Sequence, residues 1–530
     1  METPSLETLS SPRGRSILAV LCLSLLMVVV GNTVLNVAIP TLVGELDATS
    51  SELQWMVDSY ALVFAGLLLT AGALGDRFGR KGALTIGLVI FGAASAISSL
   101  ATTPDQLIAT RAVMGLGAAF VMPATLSILT NVFVPRQRAQ AIAIWAGVAG
   151  AGGAIGPVAG GWLLEHYFWG SVFLLNVPIV VTAIVAGHFL VPTSSDPQHA
   201  PLDLRGAALS TGGVGALLYG IIEAPNHGWT STPTVVAFVI AAVLLAIFAW
   251  WELRTPQPML DLRLFRNPRF SAGSASITLT FFAMFGLFFM FTQYLQLVRG
   301  YSPFSAGVKL LPMAAMLMVS APLSSRWVDR FGPKRVVSTG LTIVGVGLFL
   351  LYFLDVESSY WYMIGSLMIV AIGMGTTAAP STTAIMSAMP LGKAGVGSAV
   401  NDTTRELGGA LGVAVLGSIL ASQYSSALAP AVEALPGAAG TVASASLGGA
   451  LTVAQEIGGG AGAAFASAAK AAYMDGMGVA ILAAVGVAIS GALLVARYMP
   501  AEAAMPGEAT TEPGKDGYVP VGTEPARQEA

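Results

Sequence analysis

The chain has 530 residues, 55% of them hydrophobic and 10% charged, and a formal net charge of −3. A soluble protein of that length needs more charged surface, and a chain this near neutrality has no electrostatic footprint for nucleic acid, so composition argues against both. A mean hydropathy of +0.75 and many apolar runs of about 20 residues, the length that crosses about 30 Å of hydrocarbon as a helix, point instead to an all-α polytopic membrane protein in contact with the lipid bilayer.

Residues 1–15 are polar and Ser-rich and read as a cytoplasmic N-terminal tail, and the apolar run after them is too long for the core of a signal peptide, so the first helix is expected to stay. From there, apolar runs bounded by charge, Pro or Gly fall at 16–43, 53–75, 82–101, 105–133, 139–164, 169–191, 203–223, 232–251, 270–297, 305–325, 336–354, 360–388, 394–423 and 476–497. The Ala/Gly/Ser-rich stretch 424–475 reads as a long loop with room for partial helices, and 499–530, rich in Glu, Pro, Gly and Thr, reads as a disordered tail. The only cysteine, Cys22, excludes an internal disulfide, and the four histidines (166, 188, 199, 227) form no cluster of metal ligands.

An even number of spans puts both termini on one side. If that side is cytoplasmic, 20 of the 25 Lys and Arg lie inside, 3 (Arg299, Lys309, Lys470) lie outside, and Arg111 and Arg405 fall within spans; this is the positive-inside bias. "DRFGRK" at 76 returns as "DRFGPK" at 329, "GGAIG" at 152 as "GGALG" at 408, and "GLG" at 115 as "GMG" at 373, at offsets of 253, 256 and 258. Matches in one order at almost one spacing indicate duplication. The units are a six-helix bundle at 16–192 and a second at 269–498, separated by two inserted helices and a basic linker at 193–268. Two such repeats are how a secondary transporter is built, with substrate between the halves. No phosphate-loop motif and no long soluble stretch offers ATP as the energy source, so the expected drive is a gradient, with no cofactor and no enzyme activity.

Charges inside spans are costly and mark functional sites. Asp402, Arg405 and Glu406 lie nine to thirteen residues past Lys393, roughly 14 to 20 Å deep at about 1.5 Å per residue. The two carboxylates share a helix face, and one is expected to hold a proton while Arg405 restrains the other; the alternative is a static ion pair. Asp58, 18 residues before Asp76, lies about 27 Å from it, toward the outer side, as a proton site or as a merely solvated acid. Gly152, Gly156 and Gly160 line one helix face and Pro157 removes an amide there, which suits a close, movable helix contact or plain small-residue packing. Phe and Met of helix 9 suit either a promiscuous wall or lipid, and Gln293 and Gln296 are the better candidates for polar groups in the cavity.

The quoted motifs also carry a resemblance. "GALGDRFGRKGAL" (72–84) resembles the loop 2–3 signature of the major facilitator superfamily, "GGAIGPVAGG" (152–161) its antiporter signature, and "RAVMGLGAA" (111–119) its helix 4 motif. "NTVLNVAIP" (32–40), "LQWMVDSYAL" (53–62), "YLQLVRGYSPFSAG" (294–307) and "NDTTRELGGALGVAVLGS" (401–418) are similar to the fourteen-helix drug/proton antiporters of the EmrB/QacA type. The resemblance implies the major facilitator fold, with 14 transmembrane helices as 6 + 2 + 6 and cytoplasmic termini, in a bacterial cytoplasmic (inner) membrane, acting as a monomer.

The same resemblance implies proton-coupled export of amphipathic drugs, dyes or antibiotics; an exporter of one endogenous metabolite, lipid or peptide, or a non-transporting receptor, are the alternatives. It assigns proton or cation recognition to Asp58, with Trp55 and Tyr60 beside it, and proton-site modulation to Arg111. It implies a charge latch of Asp76 with Arg77 and Arg80, turned by Gly75 and Gly79 and echoed more weakly at Asp329 and Arg330, where Pro333 replaces the second arginine. Relatives commonly carry an acid in helix 1, where this chain has Gly31, with Asn32 and Asn36 nearby as cavity residues.

Overall fold

Many of the spans begin where the sequence supplies its own helix start. Ser11, Thr103, Asn267, Ser302 and Ser359 are N-caps whose side chains accept a backbone N–H of the first turn, and Pro12, Pro104, Pro268 and Pro303 follow four of them. The cap oxygen satisfies an amide the helix leaves free, and proline at the first position forfeits no bond. The computed structural model describes residues 6–46, 50–196, 203–433, 435 and 437–501, which are helical apart from turns, connectors and one isolated bridge between Glu7 and Phe133.

Fourteen of the described helices are long and apolar enough to cross a bilayer. They are α1 (Pro12–Glu45), α2 (Ser50–Phe78), α3 (Arg80–Ser98), α4 (Pro104–Val132) and α5 (Pro135–His166). Next come α6 (Ser171–Leu190), made of two pieces that meet at Leu175, then α7 (Leu204–His227) and α8 (Thr232–Glu252). The second half holds α9 (Pro268–Gln293, continued by a π turn over Tyr294–Val298), α10 (Pro303–Phe331), α11 (Pro333–Tyr352), α12 (Tyr360–Ser387), α13 (Ala394–Val432) and α14 (Gly459–Tyr498).

Two expectations change. Most of 424–475 is helix rather than loop: α13 runs on to Val432, two short helices follow at Gly437–Ala445 and Leu447–Ile457, and α14 starts at Gly459. Alanine, abundant there, is the strongest helix former. The N-terminal segment is also docked from Glu7 onward. Glu7 N–H donates to the Val132 carbonyl, Val134 N–H to the Glu7 carbonyl, and Leu9 N–H to Gln137 Oε1 (2.7 Å), which ties residues before α1 to the α4–α5 turn. Residues 1–5 and the expected tail from 502 onward lie outside the described residues.

The duplication is visible in the packing. In the first half α4 packs on α2 and α3, and α1 on α5; in the second α12 packs on α10 and α11, and α9 on α13. Gly152 and Gly156 of α5 face α1, as Gly408 and Gly412 of α13 face α9. The structure also corrects one register. Gly117 sits against Gly87 and Phe91 of α3, and its equivalent against Gly340 and Val344 of α11 is Gly373. The offset is therefore 256, matching that of the glycine motifs at 152 and 408, rather than 258.

The halves meet along two seams, α2 with α13 and α5 with α10, and α4–α13 and α5–α12 contacts join them further. The inserted pair α7–α8 lies against the first seam, because α7 packs on both α2 and α13. Ala65, Val214 and Leu218 form a small buried cluster there with Leu62, Leu407 and Ala410 around it.

Candidate functional site

The corner between α2 and α3 lies on the face that carries the N-terminus and most of the Lys and Arg, called here the basic face. Gly79 holds φ +116°, a conformation open to glycine, so the chain can turn at once from α2 into α3. Asp76 and Arg80 are thereby brought together inside the protein, at 4% and 1% exposure. Arg80 Nε donates to Asp76 Oδ1 (2.8 Å), and Arg80 Nη2 donates to the carbonyls of Leu391 and Gly392 (2.8 and 2.9 Å) just before α13. The Asp76 carboxylate in turn accepts the N–H groups of Gly395 (2.9 Å) and Val396 (3.1 Å), in the first turn of α13. Those amides have no partner within the helix, and the helix dipole adds to their attraction for an anion. One ion pair from the first half thus grips both faces of a helix start in the second.

Deeper in α13, Asp402 is buried at 1% exposure. It accepts from Asn401 Nδ2 (3.2 Å) and faces Ser398 Oγ at 3.5 Å, and Asn401 Oδ1 accepts from Thr382 of α12 (2.9 Å). Arg405 Nη1 stands 3.6 Å from Asp402 Oδ1, an ion pair without a close hydrogen bond. Instead its guanidinium is laid over two rings, Phe281 of α9 at 4.5 Å and Trp145 of α5 at 5.5 Å from the centroids. Trp145 is fully buried and fixed by a bond from Nε1 to Thr125 Oγ1 of α4 (3.2 Å). Glu406 is half-buried on the same helix, and its charge reaches Tyr60 across the seam.

The first half has a matching cluster. Arg111 of α4, at 0% exposure, donates from Nε to the Met56 carbonyl (3.0 Å) and from Nη1 to the Gly31 carbonyl (3.1 Å). Its guanidinium lies 4.4 Å over the Tyr60 ring, which stacks on Phe64. Gly31, the position without an acid, therefore still serves the arginine, through its backbone oxygen. A Cβ at Gly31 would point at Phe91 and Asn176, into the bundle of the first half.

Comparison with known proteins decides what this arrangement is. The family model described as Major Facilitator Superfamily matches residues 21–413. The multidrug efflux pump LfrA of Mycolicibacterium smegmatis is 35% identical over 494 residues, covering 93% of this chain and 97% of the relative. The chain belongs to the Major Facilitator Superfamily. The tetracenomycin C resistance and export protein of Streptomyces glaucescens is 36% identical over 425 residues, covering 78% of each chain. In fold, a bacterial homologue of the human lysosomal transporter Spinster superposes with a TM-score of 0.59 at 18% identity, covering 92% of this chain and 98% of the other.

As a major facilitator this chain brings some expected residues together and separates others. Asp402, Arg405 and Glu406 form one cluster at the seam, with Tyr60 and Arg111 facing it from the first half. Asp58 stands on α2 with Oδ2 buried; measured from the Asp76–Gly395 contact it is 18 residues along its helix and Glu406 only 11 along its own, so it lies about 10 Å further from the basic face. Trp55, expected in the cavity, packs instead against Tyr219 of α7, 6.2 Å between ring centroids. Gln293 and Gln296 sit at the far end of α9, 12 and 15 residues beyond Phe281, so about 18 Å or more from the Arg405 cluster, and Gln293 bonds back to the Phe289 carbonyl (3.3 Å). Asn32 is half-buried on α1; the Asn36 side chain lies outside the described residues.

Gly152, Gly156 and Gly160 meet Val29, Thr33 and Val34 of α1 within the first half, whereas the backbone at Pro157 and Val158 meets Gly307 of α10 across the seam. Gly75 lies against Ala83, 3.2 Å from where its own Cβ would be, and Arg77 lies over Phe78 at the corner. The second-half echo is built differently: Asp329 and Arg330 are exposed, and among the described residues no ion pair is seen at either. Pro333 stands where an Arg80 equivalent would be needed. The sequence reading missed Trp145, Asn401 and Thr382, and placed Phe281 only among the Phe and Met residues of helix 9 that suit a wall or lipid. Trp145, a bulky ring in the Ala/Gly-rich middle of α5, was the available signal.

Proposed function

We propose that the protein is a proton-coupled exporter of amphipathic drugs, dyes or antibiotics in a bacterial cytoplasmic membrane, with the basic face cytoplasmic. On this reading it works as a monomer and needs no cofactor beyond the proton gradient. The observation that carries the reading is the seam cluster of Asp402 and Glu406 with Arg405. Two carboxylates against one guanidinium leave an excess negative charge in a buried place, where a proton is the simplest neutraliser. The similarity to the multidrug efflux pump LfrA and to the tetracenomycin C resistance and export protein supports the substrate class.

The test is ethidium accumulation in a host lacking its own pumps. Expression should lower accumulation several-fold, a protonophore should restore it, and Glu406→Gln and Asp402→Asn should each lose most of the efflux, with membrane abundance unchanged. Normal efflux in both variants, or indifference to the protonophore, would remove proton coupling through this cluster.

A further inference from the structure

Arg405 occupies a place that another cation could take. Ring faces attract positive charge through their quadrupole rather than through a particular group, and a delocalised cation gives up little hydration to reach them. Trp145 belongs to the first half and Phe281 to the second, so the two faces form a cation site at the seam, filled by the protein's own side chain. Its link to Asp402 is loose, at 3.6 Å, which leaves the guanidinium room to come closer to the carboxylates. Beside the rings lies a small cavity bounded by Ala146 and Gly150 of α5, Phe281 and Met284 of α9 and Leu317 of α10. Those walls are apolar apart from Thr280, whose hydroxyl donates to the Ser276 carbonyl (2.7 Å), and they carry no charged side chain.

The charged and titratable groups around Arg405 are few. Asp402 and Glu406 share its helix; Tyr60 of α2 lies within reach of the Glu406 charge, Arg111 of α4 is laid over Tyr60, and Asp58 stands further along α2. The neighbouring stretches of α5 (139–164), α9 (270–293), α10 (310–325) and α12 (361–387) contain no charged residue. An incoming cation on the rings therefore leaves Arg405 one place to go, toward Asp402 and Glu406.

We propose that Trp145 and Phe281 are the recognition faces for a flat, delocalised lipophilic monocation, and that Arg405 is its built-in competitor. The substrate takes the rings, the displaced guanidinium moves onto the two carboxylates, and the carboxyl group that held a proton releases it to water. One positive charge enters as one leaves, so the exchange is electroneutral. This rests on the export reading and adds to it the residues that recognise the cation and the side chain that links its binding to the proton.

The experiment uses the full-length protein in lipid nanodiscs, with ethidium as the probe, binding read by fluorescence and proton release read by an indicator in weak buffer. Wild type should release close to one proton per ethidium bound. Trp145→Leu should bind about tenfold more weakly, while Trp145→Phe, which keeps a ring, should stay within about threefold. Arg405→Met, with the competitor gone, should bind ethidium about fivefold more tightly and release no proton. Weaker or unchanged binding by Arg405→Met, or equal binding by both Trp145 variants, would overturn the proposal. If Arg405→Met does not fold, the Trp145 pair and the wild-type proton count decide alone. Wild type that ignores ethidium, while cells still export uncharged antibiotics, would overturn this proposal and leave the export reading standing.

Discussion

At the scale of single residues, the two charge clusters hold their partners in different ways. Asp76 receives two N–H donors and Arg80, all close to 3 Å, whereas Arg405 is held by rings and one long ion pair. Hydrogen bonds to a charged group are worth about 1.5 to 3 kcal/mol each, so the Asp76 site is the stronger tie; if it is a latch, transport needs it to open. Asp76→Asn removes the charge and leaves Arg80 buried without its anion. The expected outcome is turnover reduced about tenfold or more, with the substrate dissociation constant changed less than about twofold, measured by transport and binding on the same preparation. A loss of binding alone would contradict a latch. The charges of both clusters were legible in the sequence because ionised side chains stand out in apolar helices. Their counterparts were not: backbone groups of 391–396 carry no side-chain signature, and a tryptophan or phenylalanine that holds a cation has the same letter as one that faces lipid.

At the scale of helices, glycine does two different jobs in neighbouring places. Gly156 is packed against Thr33 and the backbone of Val34 in α1, inside one half, while Gly307 of α10 lets α10 approach Val158 and Pro157 across the seam. A side chain at either position overfills a tight contact, which costs about 1 to 3 kcal/mol, but the cost lands differently. Gly156→Val should lower the thermal unfolding temperature and the amount of protein in the membrane. Gly307→Val should leave both near wild type and slow transport, since it wedges a contact that has to rearrange. Thermal unfolding and transport rate measured on both variants check the pair; the reverse pattern would mean that α5 and α10 move as one body. The four-residue glycine spacing gave the packing face, and periodicity gave the spans to within a few residues. Sequence could not say which helix covers that face, nor that 424–432 and 459–475 continue their helices, because an Ala/Gly stretch shows little of the amphipathic pattern from which ends are read.

At the scale of the whole molecule, the inserted pair α7–α8 raises a question that duplication alone does not answer: with which half does it travel? Its ties to the first half are specific. Thr211 pairs with Thr70 of α2 (3.2 Å), Tyr219 with Trp55, and the connector before α7 runs back over the latch corner, where Asp196 N–H donates to the Asp76 carbonyl (2.7 Å) and Arg80 N–H to the Ser194 carbonyl (3.0 Å). Its ties to the second half are apolar contacts with Leu407 and Ala410, which can slide, and one exposed bond from Trp229 Nε1 to Ser418 (3.2 Å). The connector after α8 is held to the second half by Lys393 Nζ on the Pro258 carbonyl (2.8 Å), which leaves residues 253–257 as the link between α8 and that tie. The hairpin should therefore move with the first half. Spin labels on cysteines placed at exposed Leu204, Phe78 and Leu391, in a background with the native Cys22 replaced by serine, measure this directly. The Leu204–Phe78 distance, α7 to α2, should keep one distribution with and without ethidium and between acidic and alkaline pH. The Leu204–Leu391 distance, α7 to the start of α13, should shift by several ångströms under the same changes. A fixed Leu204–Leu391 distance with a moving Leu204–Phe78 distance would assign the hairpin to the second half, and the connector bonds at Asp76 and Arg80 would then have to break in each cycle.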